Sequence, residues 1–102
     1  MRELFHPARE AIRLSTLFYA LSEPARLKIV LKLLESGEKS CGDLTCDLAK
    51  STMSHHFKVL RESGLVNTRI EGTQRFISIR KEDLEYRFPG FFSFLEHATP
   101  PF

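Results

Sequence analysis

Ser51, Ser54, His55 and Lys58 stand at i, i+3, i+4 and i+7, the spacing that lines four polar side chains along one stripe of an α-helix. With Met53 set at zero and about 100° per residue, Phe57 and Leu60 fall within about 40° of it, while the four polar residues lie between about 100° and 200° away. One face of such a helix is apolar; the other carries hydroxyls, an imidazole and an ammonium group. These donors and acceptors suit the edges of DNA bases, because a major groove about 12 Å wide admits one α-helix. Lys50, Thr52 and Arg61 flank the stripe, and Arg69 and Arg75 fall near the tip of a hairpin further on. These five suit phosphate oxygens or, from the hairpin, the minor groove.

The other reactive side chains form less specific sets. Cys41 and Cys46 read first as small packing residues. In continuous helix, residues five apart have Cα atoms about 8.7 Å apart, beyond the roughly 7 Å limit for a disulfide, so a redox pair requires a bend at Thr45. Such a bend lies just ahead of the polar stripe, where oxidation would reach the DNA-facing helix. His55 and His56 are adjacent and diverge on a helix, so they form no ligand pair; His56 is expected beside the core and His55 outward. A structural zinc site needs about four ligands, and Cys and His are too scattered to supply them, so no metal and no cofactor is expected. Nucleophile elbow, glycine-rich phosphate loop and paired-carboxylate motif are all missing, which argues against an enzyme.

A chain of 102 residues with 42% hydrophobic and 27% charged residues is expected to form one domain, 1–102, with a core that needs no disulfide. No apolar run approaches the ~20 residues of a membrane span, and mixed polarity follows Met1, so a cytoplasmic protein with reduced thiols is expected. The net charge of +2 is unevenly spread. Residues 1–49 balance seven Lys/Arg against seven Asp/Glu, residues 50–81 hold seven against two, and residues 82–102 hold one against four. The basic third contains the polar stripe. A solvated charged face would give the same count, so the charge supports nucleic-acid binding only together with the stripe.

Apolar residues at helical intervals predict a first helix from Ala8 to about Leu21. Ser22-Glu23-Pro24 offers a capping hydroxyl, a first-turn acid and a helix-starting proline for a second helix that Gly37 ends. Ser40 to Thr45 reads as a short amphipathic turn, with a corner near Asp47. Lys50-Ser51-Thr52 open the stripe-bearing helix with hydroxyl capping groups, and Gly64 stops it. Strands at Val66–Ile70 and Phe76–Arg80 around Gly72 form a two-stranded hairpin. Pro89 starts a last helix, about 89–98, with Phe91, Phe92, Phe94 and Leu95. Four phenylalanines between Phe88 and Phe94 exceed what one side of a terminal helix can hide, so a partner subunit is expected to cover them, unless a hydrophobic effector lodges there. The order of elements is that of a mainly α (α+β) winged helix-turn-helix with about five helices, the helix-turn-helix at about 40–63 and the wing at about 66–80.

Two runs carry a family resemblance: Ala20-Leu21-Ser22-Glu23-Pro24-Ala25-Arg26-Leu27-Lys28-Ile29-Val30, and Lys50-Ser51-Thr52-Met53-Ser54-His55-His56-Phe57-Lys58-Val59-Leu60-Arg61-Glu62-Ser63-Gly64-Leu65-Val66. They closely resemble the ArsR/SmtB family of winged-helix repressors, over about Ile12 to His97. The resemblance implies a homodimer built from the first and last helices, with Leu14, Leu17 and Phe18 meeting Phe91, Phe92, Phe94 and Leu95. It also implies binding to an imperfect palindrome in a bacterial promoter and release when an inducer is sensed. The family's thiolate metal site resembles Leu-Cys-x-Cys in the short helix, where this chain has Ser40-Cys41-Gly42-Asp43. Its other metal site draws Asp and His from the last helix, where only Glu96 and His97 stand. Thiol oxidation at Cys41 and Cys46, or a small ligand, is therefore expected ahead of a metal. The alternative function is a winged-helix protein-interaction module whose aromatic tail binds another protein and whose basic face is incidental.

Overall fold

The computed structural model of the chain describes residues 4–44 and 48–102. Its elements run α1 (Leu14–Leu21), α2 (Pro24–Ser36), β1 (Lys39–Ser40), α3 (Lys50–Ser63), β2 (Val66–Glu71), β3 (Gln74–Ile79), α4 (Lys81–Arg87) and α5 (Phe91–Glu96), with 3-10 turns at Arg9–Ala11 and Gly42–Leu44. The expected bend at Thr45, the corner at Asp47 and Cys46 lie outside the described residues.

The α3 helix buries Met53, His56 and Leu60 and ends where Gly64 turns left-handed at φ 95°, its N–H reaching the carbonyls of Leu60 and Arg61. Glycine is required there twice over, since a Cβ would also stand 2.6 Å from Cγ1 of the buried Ile12. The expected hydroxyl caps at the other end are not made. Ala49 holds the N-cap position without a side-chain bond, and Ser51 and Thr52 lie inside the first turn.

The cap of α2 is Glu23 rather than Ser22. Its Oε2 accepts from the N–H groups of Ala25 (2.7 Å) and Arg26 (3.2 Å), placing a carboxylate at the positive end of the helix. Ser22 instead donates its hydroxyl to the Tyr19 carbonyl at 2.6 Å, closing α1. The single helix expected from Ala8 to Leu21 is broken, because Ile12 and Arg13 are extended. Long-range anchors explain the break. Ile12 is buried against Gly64, and Arg9 is held by Asp83 through its Nε at 2.8 Å and by Arg87, which donates to the Arg9 carbonyl at 2.6 Å.

The two-stranded hairpin of the wing forms as β2–β3, and β1 adds a third strand to its sheet, in the order β1-β3-β2 and antiparallel throughout. Thr68 stands opposite Ile77 in the hairpin, and Lys39 pairs with Ile77 from the other side. The Cys41 N–H extends that contact by donating to the Arg75 carbonyl at 2.9 Å. Past the wing, α4 is a helix beyond those expected; Asp83 in its first turn takes Arg80 Nη2 at 2.9 Å as well as Arg9. The last helix is shorter than expected. Gly90, at φ 87°, is its N-cap, and Pro89 precedes the helix instead of starting it. Leu17, Val30, Met53, Leu60, Ile77, Leu84 and Phe92 meet in the core between these elements.

Candidate nucleic-acid interface

The outer face of α3 presents Ser51, Ser54, His55 and Lys58 to solvent, with Lys50 and Thr52 beside them at its first turn. Lys50 and Lys58 form no ion pair among the described residues. The opposite side is anchored by a polar link that crosses three helices. Buried Arg26 of α2 donates Nε to the Ala20 carbonyl at 2.7 Å and Nη1 to His56 Nδ1 at 3.3 Å. A guanidinium only donates, so Nδ1 is the acceptor in this bond, and Nε2 faces Glu23 Oε2 at 3.8 Å. The residue that caps α2 thus also faces the buried side of α3. His56 lies inward as expected, but Arg26 escaped sequence reasoning. Its signal was its position, at i, i+3, i+4 and i+7 with Ile29, Val30 and Leu33, which are all buried.

Two of the expected phosphate-facing arginines are engaged elsewhere. Arg61 is only 8% exposed, because its Nε donates to the Phe5 carbonyl at 3.1 Å and the N-terminal segment covers it. Arg69 is exposed but already paired. Its Nε and Nη2 donate to Glu38 at 3.2 and 3.1 Å, its Nη1 donates to Glu71 at 2.6 Å, and its guanidinium lies over Phe76 at 4.5 Å. Glu38 first, then Glu71, push its pKa further up. Two carboxylates on one guanidinium leave that part of the wing without surplus positive charge. Arg75, by contrast, is exposed and has no ion pair among the described residues.

The N-terminal segment is itself tied down. His6 donates from Nδ1 to the Leu4 carbonyl at 3.1 Å and accepts at Nε2 from the Thr68 N–H at 2.9 Å, while Arg80 donates to the Pro7 carbonyl at 2.7 Å. Burial lowers the His6 pKa, with Arg61 and Arg80 adding to the effect against the Leu4 hydrogen bond. Burial likewise pushes the Cys41 thiol up, opposed by Arg75. Among the described residues no group of three or more His, Cys, Asp or Glu could hold a metal ion. No helix of the described residues is long and apolar enough to cross a membrane.

The expected interface residues divide into two groups. Leu17 and Phe92 are wholly buried in the chain's own core, and Leu95 is largely buried at the floor of the apolar groove outside it. Leu14 (42% exposed), Phe18 (56%) and Phe94 (75%) stay outside, and half-buried Phe91 stands between Phe18 (ring centroids 6.3 Å apart) and core Phe92 (5.3 Å, edge to face). The two groups alternate because α1 and α5 each turn one side inward, leaving a contiguous apolar patch on the other.

Residues 23–68 match the family described as "Bacterial regulatory protein, arsR family". The chain is similar to the uncharacterized HTH-type transcriptional regulator YceK of Bacillus subtilis (strain 168), with 42% identity over 78 residues, spanning 74% of this chain and 78% of that protein. It is also similar to the arsenical resistance operon repressor of Staphylococcus xylosus, with 41% identity over 80 residues, 72% of this chain and 71% of that one. Among solved structures, the transcriptional repressor BigR from Xylella fastidiosa superposes with TM-score 0.60 at 34% identity, covering 74% of this chain and 85% of that chain. A homodimeric winged helix-turn-helix DNA-binding domain from Mycobacterium bovis superposes with TM-score 0.63 at 29% identity, covering 84% and 82%.

Proposed function

The chain belongs to the arsR family of bacterial regulatory proteins, and from that membership we propose that it is a transcriptional repressor, binding a palindromic promoter operator as a homodimer. The observation that carries this reading is the outer face of α3: four exposed polar residues at groove-reading spacing, backed by the buried Arg26–His56 link. Ser51, Ser54, His55 and Lys58 would meet base edges; Lys50, Thr52 and Arg75 would meet phosphates. The apolar patch of Leu14, Phe18, Phe91 and Phe94 would pair two copies, as the neighbour from Mycobacterium bovis is homodimeric. Two α3 helices about 34 Å apart would then enter successive major grooves, and the bound dimer would cover promoter DNA. Residues 1–102 would act as one cytoplasmic DNA-binding unit without enzyme activity, its helix-turn-helix at about 40–63, its wing at 66–80 and its dimer contact at the last helix.

An inducer that alters the spacing of the two α3 helices, or blocks their approach, would release the operator. The raised Cys41 thiol favours a small ligand over thiol oxidation, since the thiolate is the reactive form. An electrophoretic shift with selected and random duplexes tests the reading: a selected palindrome should be retained at concentrations where random duplex runs free, and equal retention of both would overturn it.

A further inference from the structure

A cleft of about 520 Å³ opens between α3 and the wing. Met53 and Phe57 line it from α3, Cys41 from the turn after β1, and Thr68 and Arg75 from the wing, with Arg61 between. Lys50 adds a third cation, and among the described residues that line the cleft none is a carboxylate. Among the described residues Arg61 has one ion pair, a long one to the half-exposed Glu62, weaker than a buried cation normally has. Its Nε is occupied by the Phe5 carbonyl, and its Nη2 stands 3.9 Å from Glu62, too far for a hydrogen bond. Thr68 is the second unmet group: the residue is buried, and its hydroxyl is the one buried side-chain polar atom among the described residues without a hydrogen-bond partner.

We infer that this cleft binds a small organic anion, its carboxylate or similar oxyanion head taken by Arg61, Arg75 and the Thr68 hydroxyl and its compact apolar body resting on Met53 and Phe57. The volume falls within the range of about 300–1,000 Å³ usual for small-molecule sites, and apolar walls with a few polar anchors are their usual construction. Cys41, kept protonated by its raised pKa, adds no negative charge to repel the occupant. Lys50 and Ser54 line both this cleft and the outer face of α3, so an occupant competes with duplex DNA for the same side chains. That last consequence rests on the proposed DNA reading; the anion site itself does not.

The test uses the full chain without DNA, titrated with benzoate and, separately, with uncharged benzyl alcohol. Benzoate is expected to saturate at one molecule per chain, and benzyl alcohol to leave the protein unchanged. Thr68→Val removes a hydroxyl that makes no bond in the free protein, so the fold is retained and benzoate affinity should fall about tenfold. Arg75→Gln, an exposed substitution, should weaken benzoate about threefold. Absence of saturable benzoate binding, equal binding of benzyl alcohol, or unchanged affinity in the folded Thr68→Val protein would overturn the site. Separate duplex titrations in chloride and in benzoate at equal ionic strength keep the two readings apart. Duplex binding without benzoate binding sinks the anion site alone. Benzoate binding without duplex binding supports the anion site and sinks the DNA reading.

Discussion

A lysine free to meet phosphate and an arginine already held by two carboxylates answer salt differently. Lys58 stands unpaired among the described residues on the outer face of α3, whereas Arg69 is shared between Glu38 and Glu71. Lys58→Ala should weaken operator binding and lower the slope of log K against log salt by roughly one unit. Arg69→Ala should leave that slope unchanged, because it exposes two carboxylates rather than removing a phosphate contact; a salt titration of both variants checks the pair. His6 yields a pH prediction. Its folded pKa lies below its usual 6.5, so the unfolded chain binds the extra proton first, and stability is full above about pH 6.5 and falls as pH drops below it. Thr68 N–H, Arg61 and Arg80 all face the ring as donors or cations, so a second ring proton has no acceptor. The urea midpoint should decline from pH 7.5 to 5.5 in the native chain and decline less in His6→Gln, which keeps an acceptor for Thr68. Asp83, held below its usual range by Arg9 and then Arg80, adds a further loss only under more acidic conditions.

At the scale of elements, α3 and the β2–β3 hairpin were legible because their signals are local. Met53, Phe57 and Leu60 mark one helical face, Gly64 marks its end, and Gly72 sits between two strand-like runs. The break at Ile12, the two-residue β1 and the burial of Arg61 were not legible, because each depends on a partner distant in sequence: Gly64, Ile77 and Phe5 respectively. Glu23 reads locally as a first-turn acid and not as the cap, since the shorter Ser22 hydroxyl stands beside it. Gly64→Ala tests how tightly these elements are joined. An alanine would have to hold φ 95° and push Ile12 aside, so the loss should be about 2 kcal/mol or more, read as a lower urea midpoint at an unchanged m value.

At the scale of the whole molecule, the apolar patch and the outer face of α3 must cooperate. Phe94, three-quarters exposed, makes little contact within its own chain, so Phe94→Glu should preserve the monomer fold. The same change should shift sedimentation from two chains to one and weaken operator binding by at least tenfold, because a single half-site loses its tethered partner. The most direct measurement is an equilibrium titration of the native chain on a palindrome selected from random duplexes, with stoichiometry resolved and a scrambled duplex of equal length as reference. Two chains per palindrome, half-site centres about one helical turn apart, and affinity at least about a thousandfold above the scrambled duplex are expected. Equal affinity for the two duplexes would contradict the account.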